Sequence, residues 1–189
     1  MSIAIIGGAG FIGTRLAKRL DNSKQDFTIY DKDTSSSERI VYLDIENSKS
    51  LNQINTSSSI INLAAEHRDD ITPISRYDDV NIQGAVNICN AAREHGINKI
   101  IFTSSVAIYG FAPANTDESG APGFFNDYGR TKFLAENVFK DWQNEDPEKR
   151  TLVIVRPTVV FGEGNRGNVY NLLSQIASGF FIMFGKGDN

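Results

Sequence analysis

Short apolar runs recur along the chain, separated by longer stretches in which apolar and polar residues mix. Ile3-Ala4-Ile5-Ile6, Phe27-Thr28-Ile29-Tyr30, Ile60-Ile61-Asn62-Leu63, Ile100-Ile101-Phe102 and Leu152-Val153-Ile154-Val155 are rich in β-branched or aromatic residues and bounded by polar residues or glycine. Runs this short and continuous predict buried strands. A weaker run, Ile40-Val41-Tyr42-Leu43, predicts a further strand between the second and third. Helices fit residues 11–20, 78–95 and 127–142, and in the second of these Val80, Gly84, Ile88 and Ala91 keep to one face. Apolar strands alternating with amphipathic helices predict an α/β domain, a doubly wound parallel sheet with helices on both faces. The serine-rich stretches 34–37 and 56–59 read as surface loops beside strands.

The pattern changes after Val160. Gly162-Glu163-Gly164-Asn165-Arg166-Gly167 predicts a polar loop and residues 169–177 a helix. Phe180-Phe181-Ile182-Met183-Phe184 is an apolar patch that would need a partner surface, and residues 185–189 read as a turn awaiting another strand. The expected division is one domain over 1–160 and, over 161–189, the start of a second lobe that is mostly missing. A length of 189 residues permits one α/β domain and the opening of another.

Composition removes several function classes. At 40% hydrophobic and 22% charged, the chain is an ordinary globular protein and not a disordered one. Its 23 acidic residues outnumber the 19 basic ones, a net charge of −4 that argues against a nucleic-acid partner. The lone Cys89 excludes an internal disulfide and a multi-cysteine zinc site, so no metal is expected, and its default role inside a helix is packing. No apolar run approaches the roughly 18 residues that cross a bilayer. The apolar start leads into glycines without a basic flank, which reads as a first strand and not as a signal peptide. A soluble, cytoplasmic protein without membrane or nucleic-acid partners is expected.

Candidate chemistry begins at Gly7-Gly8-Ala9-Gly10-Phe11-Ile12-Gly13, which follows the first strand and opens the first helix. Glycines there permit a tight turn and let backbone N–H groups approach a pyrophosphate at the positive end of the helix dipole. The pattern alone also suits a structural strand-to-helix turn. Asp31 strengthens it, because it ends the second strand roughly 20 residues on, where a carboxylate takes the adenosine ribose hydroxyls. That carboxylate repels a 2′-phosphate and favours NAD over NADP, while Lys32 partly offsets the repulsion. Further on, Tyr128 and Lys132 lie four apart at the start of the third helix, so both face one side. A cation beside the phenol lowers its pKa toward a working base, although the same spacing suits an ordinary surface helix. Thr103-Ser104-Ser105 delivers hydroxyls to the carboxyl end of the sheet, where ligands bind in such folds.

With these pieces in order, together with Asp44-Ile45, Asn62-Leu63-Ala64-Ala65-Glu66-His67, Thr103 through Gly110, and Arg156-Pro157-Thr158-Val159-Val160-Phe161-Gly162, the sequence resembles the extended short-chain dehydrogenase/reductase family, in particular its nucleotide-sugar epimerases and dehydratases. The resemblance implies a Rossmann-like fold and NAD as cofactor. It implies that Gly7, Gly10, Phe11, Ile12 and Gly13 carry the pyrophosphate, with Asp31 and Lys32 at the ribose and Asp44 and Ile45 at the adenine. Leu63, Ala64 and Ala65 would line the cofactor, and Pro157 and Thr158 would lie near the nicotinamide. Ser105 falls at the catalytic hydroxyl position, Tyr128 is the implied base, and Lys132 its partner, which also holds the nicotinamide ribose.

Dehydratases of this family carry an acidic pair directly after that hydroxyl. Val106 and Ala107 stand there instead and transfer no proton, which favours epimerisation at a sugar C4 through a transient 4-keto sugar. The implied substrate is a nucleotide sugar, UDP-linked by expectation, and the implied assembly a homodimer. A reductase or dehydrogenase using the same three residues, or a cofactor-binding fragment without turnover, remain as alternatives. His67 is read as a rim contact and His95 as a partner of helix-terminal carbonyls. Glu66, Arg68, Asp69 and Asp70 are read as a solvated loop or part of a sugar rim, and Arg166 as a candidate for substrate phosphate or as a solvated side chain.

Overall fold

The computed structural model describes residues 2–68, 70–179 and 181–182. Two compact units divide the chain, residues 1–157 and 158–189. The first unit is built on six strands: β1 (Ser2–Ile6), β2 (Phe27–Asp31), β3 (Ile40–Tyr42), β4 (Ser57–Asn62), β5 (Lys99–Thr103) and β6 (Thr151–Val155). They form one sheet in the order β3-β2-β1-β4-β5-β6 with every neighbouring pair parallel. This is the doubly wound Rossmann order, in which the chain reverses direction across the sheet between β1 and β4. Helices α1 (Phe11–Asn22), α2 (Gly84–Glu94) and α3 (Asp127–Asn144) supply the crossovers.

The apolar runs at the centre of the sheet become strands because both faces are covered there, whereas β6 alternates and leaves Val153 and Val155 exposed. Ala4, Ile5, Ile6, Ile60, Ile100 and Phe102 are all buried. On one face Phe102 packs its ring 4.5 Å from that of Phe139 in α3, beside the fully buried Trp142. A smaller cluster of Ala17, Ile29 and Ile40 closes the other face under α1.

Two expectations are corrected. Residues 57–59 are strand and not loop: they pair with Ser2 and Ile3 of β1, and the Ser58 hydroxyl donates to the Ser2 carbonyl at 3.0 Å. A serine-rich edge thus enters the sheet through backbone pairing that no hydrophobic pattern reveals. The second helix is not uniform either. Asp78–Gln83 is π-helical and only Gly84–Glu94 is α-helical. Such an extra-residue turn rotates the side chains before it relative to those after it.

Among the described residues no helix is long and apolar enough to cross a membrane. In the second unit, Gly162 and Gly164 take positive φ in the polar loop, and α4 (Asn168–Ala177) follows with Gly167 as its N-cap. Arg166 is exposed there. Of the predicted apolar patch, Phe181 and Ile182 are exposed; Phe180, Met183 and Phe184, and the expected turn at 185–189, lie outside the described residues.

Candidate active site

The carboxyl ends of β1 to β4 open into a cleft of about 200 Å³. Gly7, Gly10, Asp31, Lys32, Asp44, Ile45, Leu63, Ala64 and Ala65 line it, joined by Glu46, Glu66 and His67. Phe11, Ile12 and Gly13 follow in α1 and do not line it. The glycine loop and the acid are tied to each other: the Ala9 N–H donates to Asp31 Oδ2 at 2.9 Å, and the Asp33 N–H to Oδ1 at 3.1 Å. Asp31 therefore sets the loop's height as well as facing the cleft.

The loop glycines differ in what they need. A Cβ on Gly7 would lie 2.5 Å from the Ala64 nitrogen, so the approach of β4's following loop forbids it. At Gly10 a Cβ would meet only the Gly7 carbonyl at 3.5 Å, an ordinary contact. Nothing in the protein requires a glycine at that position. A group lying against the α1 N-terminus does, which is how a pyrophosphate sits on such a helix. The residues present thus fit a dinucleotide.

The second half of the site is assembled by close backbone approach. Ser105 caps the short 3-10 turn Val106–Tyr109, its Oγ accepting from the Ala107 N–H at 3.1 Å. Asn126 caps α3 by accepting from the Gly129 N–H at 2.8 Å. A Cβ on Gly129 would stand 2.4 Å from the Ala107 carbonyl, so only glycine lets the helix start against that turn and brings Tyr128 beside Ser105. Val106 donates its N–H to the Pro157 carbonyl at 3.2 Å, fixing the end of β6 to the same turn. Thr158 falls in the second unit. Between the turn and α3 the chain makes a long excursion with a narrow neck. The Gly123 N–H donates to the Ile108 carbonyl at 2.9 Å, and the Gly110 Cα passes so near the Gly123 carbonyl that no side chain fits. Phe111 and Phe125 stack at 4.8 Å on this excursion and are 88% and 60% exposed.

The electrostatics correct one expectation directly. Burial raises the Tyr128 pKa, the Ser105 hydroxyl working against the rise, and Lys132 does not lower it. The reason lies in where Lys132 goes. Its side chain is buried in the core, with the ammonium 4.3 Å above the Phe102 ring, and burial pulls its pKa down to about 7.

Several groups that the sequence did not single out hold this half together. Asn81, in the π-helical turn, accepts from the Glu66 N–H at 2.9 Å and donates to the Glu66 carbonyl and the Thr131 hydroxyl, both at 3.0 Å. It bridges the loop after β4 to α3. Arg130 grips Asp78 through two 2.9 Å bonds and Asp127 through a third at 2.8 Å. Glu136 is fully buried and takes Arg156 in a fork at 2.8 and 2.7 Å.

Glu66 is likewise buried and not solvated. Burial pushes its carboxyl up, but Arg68 at 3.1 and 3.2 Å and two backbone N–H groups hold it below the ordinary value. Arg68 and Asp70 are exposed, and Asp69 lies outside the described residues. His67 is exposed at the cleft. His95 serves the α2 terminus through its backbone N–H, which donates to the Ala91 carbonyl at 2.9 Å, while its Nε2 meets no carbonyl among the described residues. Cys89 is buried and burial pushes its thiol up to about 12, an unreactive packing residue as expected.

The chain is 46% identical over 193 residues to the N-acetyl-alpha-D-glucosaminyl-diphospho-ditrans,octacis-undecaprenol 4-epimerase of Escherichia coli O157:H7, matching all of this chain and 57% of that protein. It is 29% identical to the UDP-glucose 4-epimerase of Vibrio cholerae, over 98% of this chain and 60% of the relative. Among solved structures, MoeE5 in complex with UDP-glucuronic acid and NAD shares the fold with a TM-score of 0.83 at 23% identity, over 93% of this chain and 61% of that one. The chain thus spans about three fifths of the relatives it matches. The family described as NAD dependent epimerase/dehydratase matches residues 3–189, and the chain belongs to it.

Proposed function

We propose that the chain is the cofactor-binding and catalytic part of an NAD-dependent nucleotide-sugar 4-epimerase. The observation that carries this is the meeting of Ser105 and Tyr128 on the sheet edge that also bears the Gly10 cradle and Asp31. When bound, NAD supplies the hydride acceptor and donor at the sugar carbon. Tyr128 exchanges the proton of the neighbouring sugar hydroxyl, and Ser105 hydrogen-bonds the same oxygen. Val106 and Ala107, which enter the 3-10 turn after Ser105, supply no second acid and leave no route to water elimination. Both named relatives are 4-epimerases, which supports the same outcome.

Asp31 gives the cofactor test. Asp31→Ala is expected to weaken NAD about tenfold or more, since hydrogen bonds to a charged group contribute about 1.5–3 kcal/mol, and to weaken NADP less, by what losing the Ala9 tie costs the loop for either cofactor. Paired titrations measure the ratio of the two affinities, and an unchanged ratio removes Asp31 from the ribose.

A second reading differs in the group carried on the far side of the sugar's diphosphate. The E. coli relative is named for a polyprenyl diphosphate sugar, and the stacked, exposed Phe111 and Phe125, the latter three residues before Tyr128, offer apolar surface. The full-length protein should be given UDP-N-acetylglucosamine and, separately, the same sugar on polyprenyl diphosphate. Turnover of the UDP-sugar supports the nucleotide reading. Turnover of the lipid-linked sugar alone overturns it in favour of the second.

A further inference from the structure

Glu46 stands on the cleft wall just beyond β3, in the company of Asp31, Lys32 and Asp44. This is the end at which Asp31 faces the ribose: Tyr42 of β3 pairs with Asp31, and the Leu43 N–H donates to the Asp31 carbonyl at 2.9 Å. The main chain at Glu46 is pinned. Its N–H donates to Asp44 Oδ1 at 3.0 Å, and Asn87 Nδ2 donates to the Ile45 carbonyl at 2.8 Å and the Glu46 carbonyl at 3.3 Å. The carboxylate is held as firmly. Arg76, which precedes the π-helical turn, forks onto both its oxygens, the Nη2 bond at 2.8 Å. The two side chains keep 25% and 31% of their surface in water, so the pair sits at the rim.

This corner thus holds two cations, Lys32 beside Asp31 and Arg76 on Glu46. A ribose 2′-phosphate is bound by such cations, arginine above all, because its fork matches phosphate oxygens. We propose that Glu46 is a selectivity residue: by occupying Arg76, and by sharing the cleft with Lys32, it denies a 2′-phosphate its counter-charge and favours NAD over NADP. Asp31 alone is a weak filter. Its Oδ2 accepts from the Ala9 N–H and its Oδ1 from the Asp33 N–H, and Lys32 follows it directly. Arg76 foremost, with help from Lys32, holds the Glu46 carboxyl below its ordinary value against the pull of burial, so the fork is charged at neutral pH. The other acids near Arg76 do not replace Glu46. Glu66 is forked by Arg68, and Asp79 lies exposed on the π-helical turn.

The proposal rests on the dinucleotide reading of the cleft and not on the sugar reaction. In the full-length protein, NAD and NADP are titrated in parallel at fixed ionic strength, with the ratio of the two Kd values as the readout. Glu46→Gln removes the charge that holds Arg76 and is expected to tighten NADP about tenfold, while NAD changes by less than about twofold. Glu46→Asp keeps the charge and is expected to stay near the wild-type ratio. Adding Arg76→Met to Glu46→Gln is expected to cancel the gain. Should Glu46→Gln fail to fold, Arg76→Met alone leaves the Glu46 charge unpaired at the rim and is expected to weaken NADP more than NAD. An unchanged ratio in the folded variant overturns the proposal, as does a gain for NADP that survives the loss of Arg76, or an equal change for both cofactors. A wild type that binds neither dinucleotide overturns the reading of the cleft itself, and the proposal with it.

Discussion

Replacing Tyr128 with phenylalanine is expected to slow sugar turnover by about 10²–10⁴-fold, the contribution of a positioned proton-transfer group. The variant should fold as before. The phenol ring stays where Gly129 and the Ala107 carbonyl fix the start of α3, and the hydroxyl lost faces Ser105 and not the core. NAD affinity should change little, because the glycine loop and Asp31 stand at the other end of the site. Turnover in the full-length protein with an identified substrate, thermal melting and cofactor titration separate these effects. A phenylalanine variant with near wild-type kcat ends the assignment of Tyr128 as the base. Since burial raises the Tyr128 pKa, the tyrosine-dependent rate should climb with pH in the wild type, and that climb should be absent in the variant.

The largest stability loss is expected at Arg156→Met. Removing the guanidinium strips a fully buried Glu136 of its fork and leaves Lys140, itself 41% exposed at the side chain, as its remaining ion-pair partner among the described residues. Breaking a buried pair from one side costs about 3–5 kcal/mol, because the remaining charge stays desolvated. The sign with pH follows from Glu136. Burial pushes its carboxyl up, but the Arg156 fork overrules this and holds it below its ordinary value. Wild-type stability from the pair is thus present above the unfolded-state glutamate pKa and lost as pH falls through the lower folded value. In Arg156→Met burial meets much weaker opposition, so Glu136 takes up a proton more readily and the difference between the proteins should narrow as pH falls from 7 toward 4. Urea unfolding at pH 7 and at pH 4 measures both. An equal loss at the two values would show that the missing contacts, not the missing charge, carry the effect.

Much of this architecture is legible in the sequence for a clear physical reason. Both-faces burial writes continuous apolar strands, and the turn that meets a pyrophosphate writes glycines at fixed spacing, so Gly7, Gly10 and Asp31 announce themselves over short distances. Ser105 and Tyr128 are equally local, each standing at the first residues after a strand or in a helix. What the sequence conceals is pairing across long separations. Asn81 meets Thr131 fifty residues away, and Glu136 meets Arg156 twenty away. A buried carboxylate reads as a solvated helix face until its partner is known. The same blindness explains the Lys132 correction: spacing places it on the same side as Tyr128, but only tertiary packing shows its ammonium turned onto the Phe102 ring.

The narrow neck between Gly110 and Gly123 makes the excursion above it an Ω-like loop, hung from a closed ring and tied back to its frame where the Glu118 carbonyl accepts from Arg156 at 3.0 Å. Residues 111–122 can change length or chemistry while the carbonyl of Ile108 and the amide of Gly123 hold the two ends together, so long as a carbonyl still meets Arg156 where Glu118 does. The entropic charge is slight, about 0.6 kcal/mol for each doubling of a flexible loop. Ser105 lies on one side of the ring and Tyr128 on the other, so neither shifts when the loop is rewritten. A scaffold of this kind lets what is recognised drift independently of the chemistry performed, and grafting another loop at these two glycines is the natural seam for redesign.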